Sequence, residues 1–495
     1  MMATTQVYLV TIPLFAILSL LYRLYTNYLA LASLRLPGPF LAKLSSKWLF
    51  LTFARGQQAN TVHALHRRHG PIVQIGPREI SFASAQACKD IYGVHTKCSK
   101  SAMYDNFAKP GLVGMRDRGQ HRERLQRVAH VFSLSVLKEL EPSVQDQIAQ
   151  LRALLVKSEG TAVDVVKLMH LLALDVAGII LLGENFGALG AERPSYYVKV
   201  MKLLVPFRGV ETTFPWAIPI LKVLPFEWAR DFTGVVDYVY GYCEERMKRM
   251  IEEDGRTSQR KNMLSRLLVG DPEKGTLPLT DQEISDEVGN FIYAASDTTG
   301  IVMAYFLYEM AANIDWQEKL RKEIKDAKVE DGGFDYAIVQ KLPVLQACLY
   351  ESLRLHPGAP VGLPRTTPIE GFSIDGIFVP GGTIVHAPSF TVQRDTTAFP
   401  SPDKFDPGRW LSASGSYAPS TQLLDHMMIW GAGEYRCAGI NMAIMEVKTM
   451  VSRVLNNFKV RVESEQTHED MKPKDHFMTE ASGGRGMCVF ESIDS

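Results

Sequence analysis

The sequence predicts a mainly α-helical domain with small peripheral β-sheets, preceded by one N-terminal transmembrane helix, and three observations carry that expectation. Residues 7–22 read VYLVTIPLFAILSLLY without a charge. Helix formers at helical spacing dominate residues 119–355, and strand-like segments are short and lie to either side of that region.

The apolar run, extended back to about residue 4, approaches the ~20 residues needed to cross a bilayer. A cleaved signal peptide has a similar apolar core, but it usually opens with positive charge and ends on small residues. This segment opens MMATTQ and ends on Leu21 and Tyr22. Arg23, Arg35, Lys43 and Lys47 follow, which by the positive-inside rule leaves everything downstream in the cytoplasm. The prolines of LPGPF stiffen the exit at 36–40. Residues 1–36 are therefore expected to form the anchor and linker (span about 4–22), and residues 37–495 one catalytic domain.

Within that domain, helices are expected over 144–158, 238–254, 281–314 and 316–327. Strands are expected over 72–75 with 79–82, 372–379 with 383–387, and 486–490. No fixed-period repeat occurs, which argues against solenoids and propellers. Lys plus Arg and Asp plus Glu both total 54, so no electrostatic footprint for nucleic acid exists and a small-molecule partner is expected. The six cysteines lack the spacing of a disulfide framework or zinc site, and no Asn-x-Ser/Thr sequon occurs, in keeping with a reduced, cytoplasmic setting.

Near the C-terminus stands WGAGEYRCAG, Trp430 to Gly439, followed by the helical run INMAIMEVKTMVSRVL. A thiolate at a helix N-terminus is stabilised by the helix dipole and free amides, and glycines let the backbone approach a flat cofactor. Cys437 has that setting, although a small apolar residue entering a buried helix would read the same way.

The loop resembles the heme-binding loop of the cytochrome P450 family, Phe-x-x-Gly-x-Arg-x-Cys-x-Gly. Gly433, Cys437 and Gly439 match. Trp430 replaces the phenylalanine, and Tyr435 replaces the arginine that usually binds a heme propionate, with Arg436 adjacent but differently aimed. Three further landmarks follow the family's order. Glu351 and Arg354 stand three apart on one helical face, and FDPGRW, at 405–410, is similar to the segment that brings a second arginine, here Arg409, to that pair. AASDTT, at 294–299, resembles the oxygen-activation motif, with Ala295 in place of the usual glycine. Polar groups inside an apolar helix are costly unless they are satisfied, although Thr298 bonded back to a carbonyl in a kinked helix is the structural alternative.

This resemblance, covering the chain after the anchor, implies the cytochrome P450 fold and heme b held by the axial thiolate of Cys437. It implies Thr298 in the hydrogen-bond network around dioxygen and Asp297 in proton delivery. Arg365 and His121 fall at propionate-binding positions, while the arginine customary four residues after His121 is Leu125, with Arg124 beside it as a substitute. The implied activity is a monooxygenase that uses O2 and electrons from an NADPH–cytochrome P450 reductase, at the endoplasmic reticulum membrane with the catalytic domain in the cytoplasm. By family position the substrate would meet residues 101–112, 207–216, Phe291, Ala294, 359–363 and 478–482. These are mostly apolar and point to a lipophilic molecule. Similarity to fungal secondary-metabolite members suggests a terpenoid, polyketide or alkaloid. A heme-thiolate isomerase or dehydratase would have less need of Asp297 and Thr298, and a non-catalytic membrane-bound carrier would need neither heme nor reductase.

Overall fold

The computed structural model describes residues 2–106, 109–191, 196–327 and 336–493. Phe107 and Ala108, within the expected substrate-lining stretch 101–112, lie outside the described residues.

The first helix, α1 (Met2–Leu29), runs beyond the expected span. Thr11–Leu34 is long and apolar enough to cross a membrane, and Ile12, Phe15, Leu18 and Leu21 are exposed along it. None of the described residues covers these side chains, which is consistent with a membrane anchor. A more apolar helix, Val165–Leu182, is mostly buried and belongs to the protein core.

Seven further helices frame the site: α2 (Arg118–Val128), α3 (Leu134–Lys157), α4 (Val165–Leu182), α5 (Glu227–Asp254), α6 (Asp281–Ala312), α7 (Pro343–Leu355) and α8 (Ile440–Asn457). The N-terminus of α6 is set by a reciprocal capping box between Thr280 and Glu283. The helix then runs for 32 residues and packs most extensively on α4, forming with α3 and α8 the main hydrophobic core. The helix expected from 144 starts ten residues earlier, at Leu134, and keeps Pro142 in its interior. Leu137, Leu140, Val144 and Ile148 are buried on both sides of the proline, and their packing sustains the helix through the hydrogen bond it lacks. The helix expected over 281–314 stops at Ala312, and a separate one occupies Ile314–Asp326.

The largest sheet has five strands, β1 (Ile72–Gly76), β2 (Glu79–Phe82), β3 (Ser99–Lys100), β4 (Arg365–Thr366) and β5 (Ile384–His386), in the order β1-β2-β5-β4-β3. The expected pairing of 372–379 with 383–387 does not form. Phe372–Ile374 instead pairs with Ile377–Val379. Asp375 and Gly376 between them both hold positive φ, 47° and 78°, the backbone a two-residue hairpin turn demands. Segment 384–386 is thereby free to join β2 in parallel, Glu79 opposite Ile384 and Ser81 opposite His386. At the far edge Lys100 stands opposite Arg365. The C-terminal strand, Met487–Ser492, lies between Ala162–Asp164 and Phe458–Val462.

A buried polar cluster joins α7 to the segment before the cysteine loop. Glu351 accepts from Arg354 Nε at 2.8 Å and Nη2 at 2.9 Å, Arg409 Nε at 3.1 Å, Trp410 Nε1 at 2.9 Å and the Asp406 amide at 2.9 Å. The remaining donors of Arg354 reach the carbonyls of Gln393, Pro402 and Lys404. Burial would raise the Glu351 carboxyl, but its hydrogen bonds and the Arg354 charge hold it below the usual carboxylate value.

Candidate functional site

Cys437 stands three residues before the first turn of α8. Its amide donates to the Trp430 carbonyl at 2.8 Å and closes the loop on itself. Gly433 holds φ of 60°, and a Cβ there would come within 2.6 Å of the Tyr92 carbonyl oxygen, so both conformation and space require glycine. Gly439 differs, since its φ is −85° and a Cβ would meet no protein atom within 4 Å. Of the six cysteines only Cys437 is exposed. Burial nonetheless pushes its thiol up, opposed by the Gly439 backbone and the Arg436 charge. A sulfur that is accessible yet set in a desolvated surrounding faces an opening inside the protein.

The middle of α6 carries a second opening. Ala294 is exposed although Phe291, Ile292 and Ser296 around it are buried. Thr298 Oγ1 donates to the Ala294 carbonyl at 2.7 Å, the back-bonded arrangement, and its Cβ lies near Gly358. Asp297 is one residue away, about 100° round the helix, and reaches α4. There His170 Nε2 lies 3.5 Å from Asp297 Oδ1, and His170 Nδ1–H donates to the Val166 carbonyl at 2.7 Å. Burial acts to lower the imidazole, but the hydrogen bond and charge of Asp297 outweigh it and the net direction is up.

Arg365 and His121 come together around Tyr435. The His121 ring meets the Tyr435 ring edge-on at 4.6 Å, and the Arg365 guanidinium lies 5.0 Å from the same ring. Arg365 Nη1 also donates to Tyr104 Oη at 3.0 Å. Sequence reasoning missed Lys100, which β3 places beside Arg365. Its Nζ is buried 4.8 Å from the Tyr435 ring and donates to the carbonyls of Leu112 and Val113 at 2.9 and 2.8 Å. Burial and the Arg365 charge push Lys100 down to about 7, while burial and both cations push His121 down to about 4. The polar contacts of Lys100 and Arg365 are with carbonyls and a phenol, and His121 Nδ1 is buried without a partner. Such a cation-rich cluster suits the two carboxylates of heme, and an accessible, desolvated thiol suits its iron. The residues present therefore fit that cofactor. Arg124 does not join this cluster, since it pairs with Glu283 and, at 3.0 Å, with Glu287 of α6.

Two cavities flank the middle of α6, and neither is lined by Cys437. One, of about 390 Å³, reaches from Asn290 and Tyr293 to the five-stranded sheet, with Ser101, Met103, Val361 and Gly362 among the expected lining residues. Glu79 and His386, which sequence reasoning missed, also line it. The other, of about 830 Å³, is lined by His170, Asp297 and Met478 to Ala481. Phe291, expected among the substrate-lining residues, packs edge-on against Phe132 at 5.2 Å. Strand pairing decides where Glu79, Lys100 and His386 stand, and local sequence carries no signal for it.

The chain matches the family model described as Cytochrome P450 over residues 37–485. Among curated proteins it is similar to tryprostatin B 6-hydroxylase of Aspergillus fumigatus, 30% identical over 91% of this chain and 78% of that one. Pisatin demethylase of Fusarium vanettenii is 29% identical over 92% of this chain and 87% of that one. A cytochrome P450 monooxygenase of Aspergillus terreus is 28% identical over 97% of both. Among solved structures, the crystal structure of the cytochrome P450DA heme domain superposes with a TM-score of 0.78 at 17% identity, covering 93% of this chain and 98% of that one.

Proposed function

The chain belongs to the cytochrome P450 family, and from that premise we propose that it hydroxylates or otherwise oxidises a lipophilic secondary metabolite with Cys437 as the axial ligand of its heme iron. Membership makes it an oxygen-incorporating oxidoreductase and a heme-thiolate protein, working on a small molecule with a redox partner. Bound through a thiolate, the heme supplies oxygen activation, because the sulfur's electron density favours O–O cleavage.

The single observation that carries the assignment of Cys437 is its exposure in a desolvated loop at the head of α8, where the other five cysteines are buried. Gly433 and Gly439 let that loop approach a flat group, the first by its backbone and the second by the open space beside it. Arg365, His121 and Lys100 hold the propionates. Thr298 and Asp297 serve the oxygen site: the threonine hydroxyl, whose proton is held by the Ala294 carbonyl, accepts a hydrogen bond at the helix window, and Asp297 with His170 moves protons in from the larger cavity.

Residues 1–36 form the anchor and linker and residues 37–495 the catalytic domain. Exposed Trp216, Ile220, Val223, Phe226 and Trp228 give that domain a second apolar surface suited to a bilayer. The setting is the endoplasmic reticulum with the domain facing the cytoplasm, where an NADPH–cytochrome P450 reductase supplies electrons. The relatives' names, a tryprostatin B hydroxylase and a pisatin demethylase, support a secondary metabolite as the substrate.

The test is the absorption difference spectrum of the dithionite-reduced, carbon-monoxide-treated protein in microsomes. A long-wavelength thiolate band is expected in wild type and in Cys98→Ser, and its absence in Cys437→Ser. Folded wild type without heme would overturn the reading.

A further inference from the structure

The smaller cavity carries one acidic group, Glu79, that no cation among the described residues balances. Glu79 and His386 lie on the same face of the five-stranded sheet, because paired and alternate residues of β2 and β5 share a face, and both line the cavity. The rest of the wall is largely apolar, including Leu49, Phe50, Phe53 and Leu204. Among the described residues the only other full charge on it, Arg208, is engaged by Glu211 and by the Asn106 carbonyl.

The Glu79 carboxylate has no such partner. Its one ion-pair neighbour among the described residues is His386, whose Nε2 stands 3.5 Å from Oε1. His386 Nδ1–H donates to the Val361 carbonyl at 3.1 Å, so in the neutral ring Nε2 carries a lone pair and offers no charge. Burial pushes His386 down to about 4, which keeps it neutral, and pushes Glu79 up to about 7 with no cation to offset the burial. A carboxyl poised in this way is stabilised in its ionised form by whatever cation enters the cavity. Aromatic rings nearby favour the same class of ligand.

Resting on the reading of this chain as a heme oxidase, we propose that the cavity selects a lipophilic substrate bearing a protonated or quaternary amine, and that Glu79 is the specificity residue that binds it. The ammonium pairs with the Glu79 carboxylate at the sheet, and the apolar remainder extends along the cavity toward Asn290 and Tyr293 of α6. Among secondary metabolites this selects basic, alkaloid-like molecules over neutral terpenoids and acidic polyketides.

The experiment is calorimetric titration of the purified holoenzyme, below micellar concentrations, with decyltrimethylammonium, decanol and decanoate. The quaternary nitrogen has no lone pair and cannot ligate iron, so its binding reports the cavity alone. Wild type is expected to bind the cation at least tenfold more tightly than the alcohol, with decanoate weakest. Glu79→Gln is expected to bring cation and alcohol within about twofold by weakening only the cation, and Glu79→Lys to favour decanoate. A wild type that binds the cation no more tightly than the alcohol overturns the proposal even if neither variant folds. A cation preference that survives in Glu79→Gln overturns it as well. The carbon monoxide spectrum is recorded on the same samples so that the two readings fail separately. A missing thiolate band overturns the oxidase, and a missing cation preference with the band intact overturns only the Glu79 assignment.

Discussion

His170 Nε2 lies 3.5 Å from the carboxylate of Asp297, across the packed faces of α4 and α6. The acid of the α6 motif is thereby turned away from its neighbour Thr298 and toward a cavity of about 830 Å³. Gly300, one turn on, makes this approach possible, since a Cβ there would come within 2.8 Å of the His170 backbone.

If this pair delivers protons, removing the imidazole should slow their arrival without emptying the substrate site. His170→Phe is expected to cut product formed per NADPH consumed by about fivefold, equivalent to about 1 kcal/mol of barrier. Hydrogen peroxide should rise in proportion and substrate affinity should hold. Unchanged coupling in a heme-replete variant would remove His170 from the proton path.

The same pair makes a stability prediction with a definite sign. The folded-state value of His170 is raised, so the pair's contribution is complete below the unfolded value of about 6.5 and is lost as pH rises through the folded value. Asp297→Asn should therefore lower Tm more at pH 5.5 than at pH 8.5. An equal deficit at both pH values would show that the imidazole charge contributes nothing.

Arg354 tests the buried cluster. Its guanidinium spans Glu351 and three carbonyls at once, a geometry a lysine ammonium cannot reproduce. A lysine keeps the charge but leaves buried carbonyls of Gln393, Pro402 and Lys404 without donors, at a cost of about 1–3 kcal/mol for each group left unsatisfied. Arg354→Lys is expected to unfold at markedly lower temperature and to retain little heme, read by circular dichroism and by heme content per polypeptide. Wild-type values for both would show that the cluster does not hold the loop.

Lys100 is the prediction that sequence alone could not suggest. With Tyr435 in place of the usual arginine, the buried Lys100 ammonium supplies a cation over that ring. Lys100→Met should release heme to apomyoglobin about tenfold faster than wild type. The exposed Lys138→Met serves as control and should not differ.

The mainly α body, the apolar N-terminal helix and the landmarks around Cys437, Glu351 and Asp297 were legible in the sequence, because each is carried by residues within a few turns of one another. Helical spacing, the unbroken apolar run and the Gly433, Cys437 and Gly439 pattern are local signals, and local physics reads them. The helix expected from 144 begins earlier, at Leu134, because burial on either side of Pro142 overrides the proline's local propensity.

What surrounds the site was settled only by the tertiary structure. The tight turn at Asp375 and Gly376 closes one hairpin and sends 384–386 to pair with 79–81, which sets His386 beside Glu79. The edge pairing of Lys100 with Arg365 and the crossing of α4 over α6 join His170, Asp297 and the cations in the same way. Residues some 130 to 300 positions apart meet there because burying apolar faces selects which strands and helices pack, and that choice belongs to the whole chain.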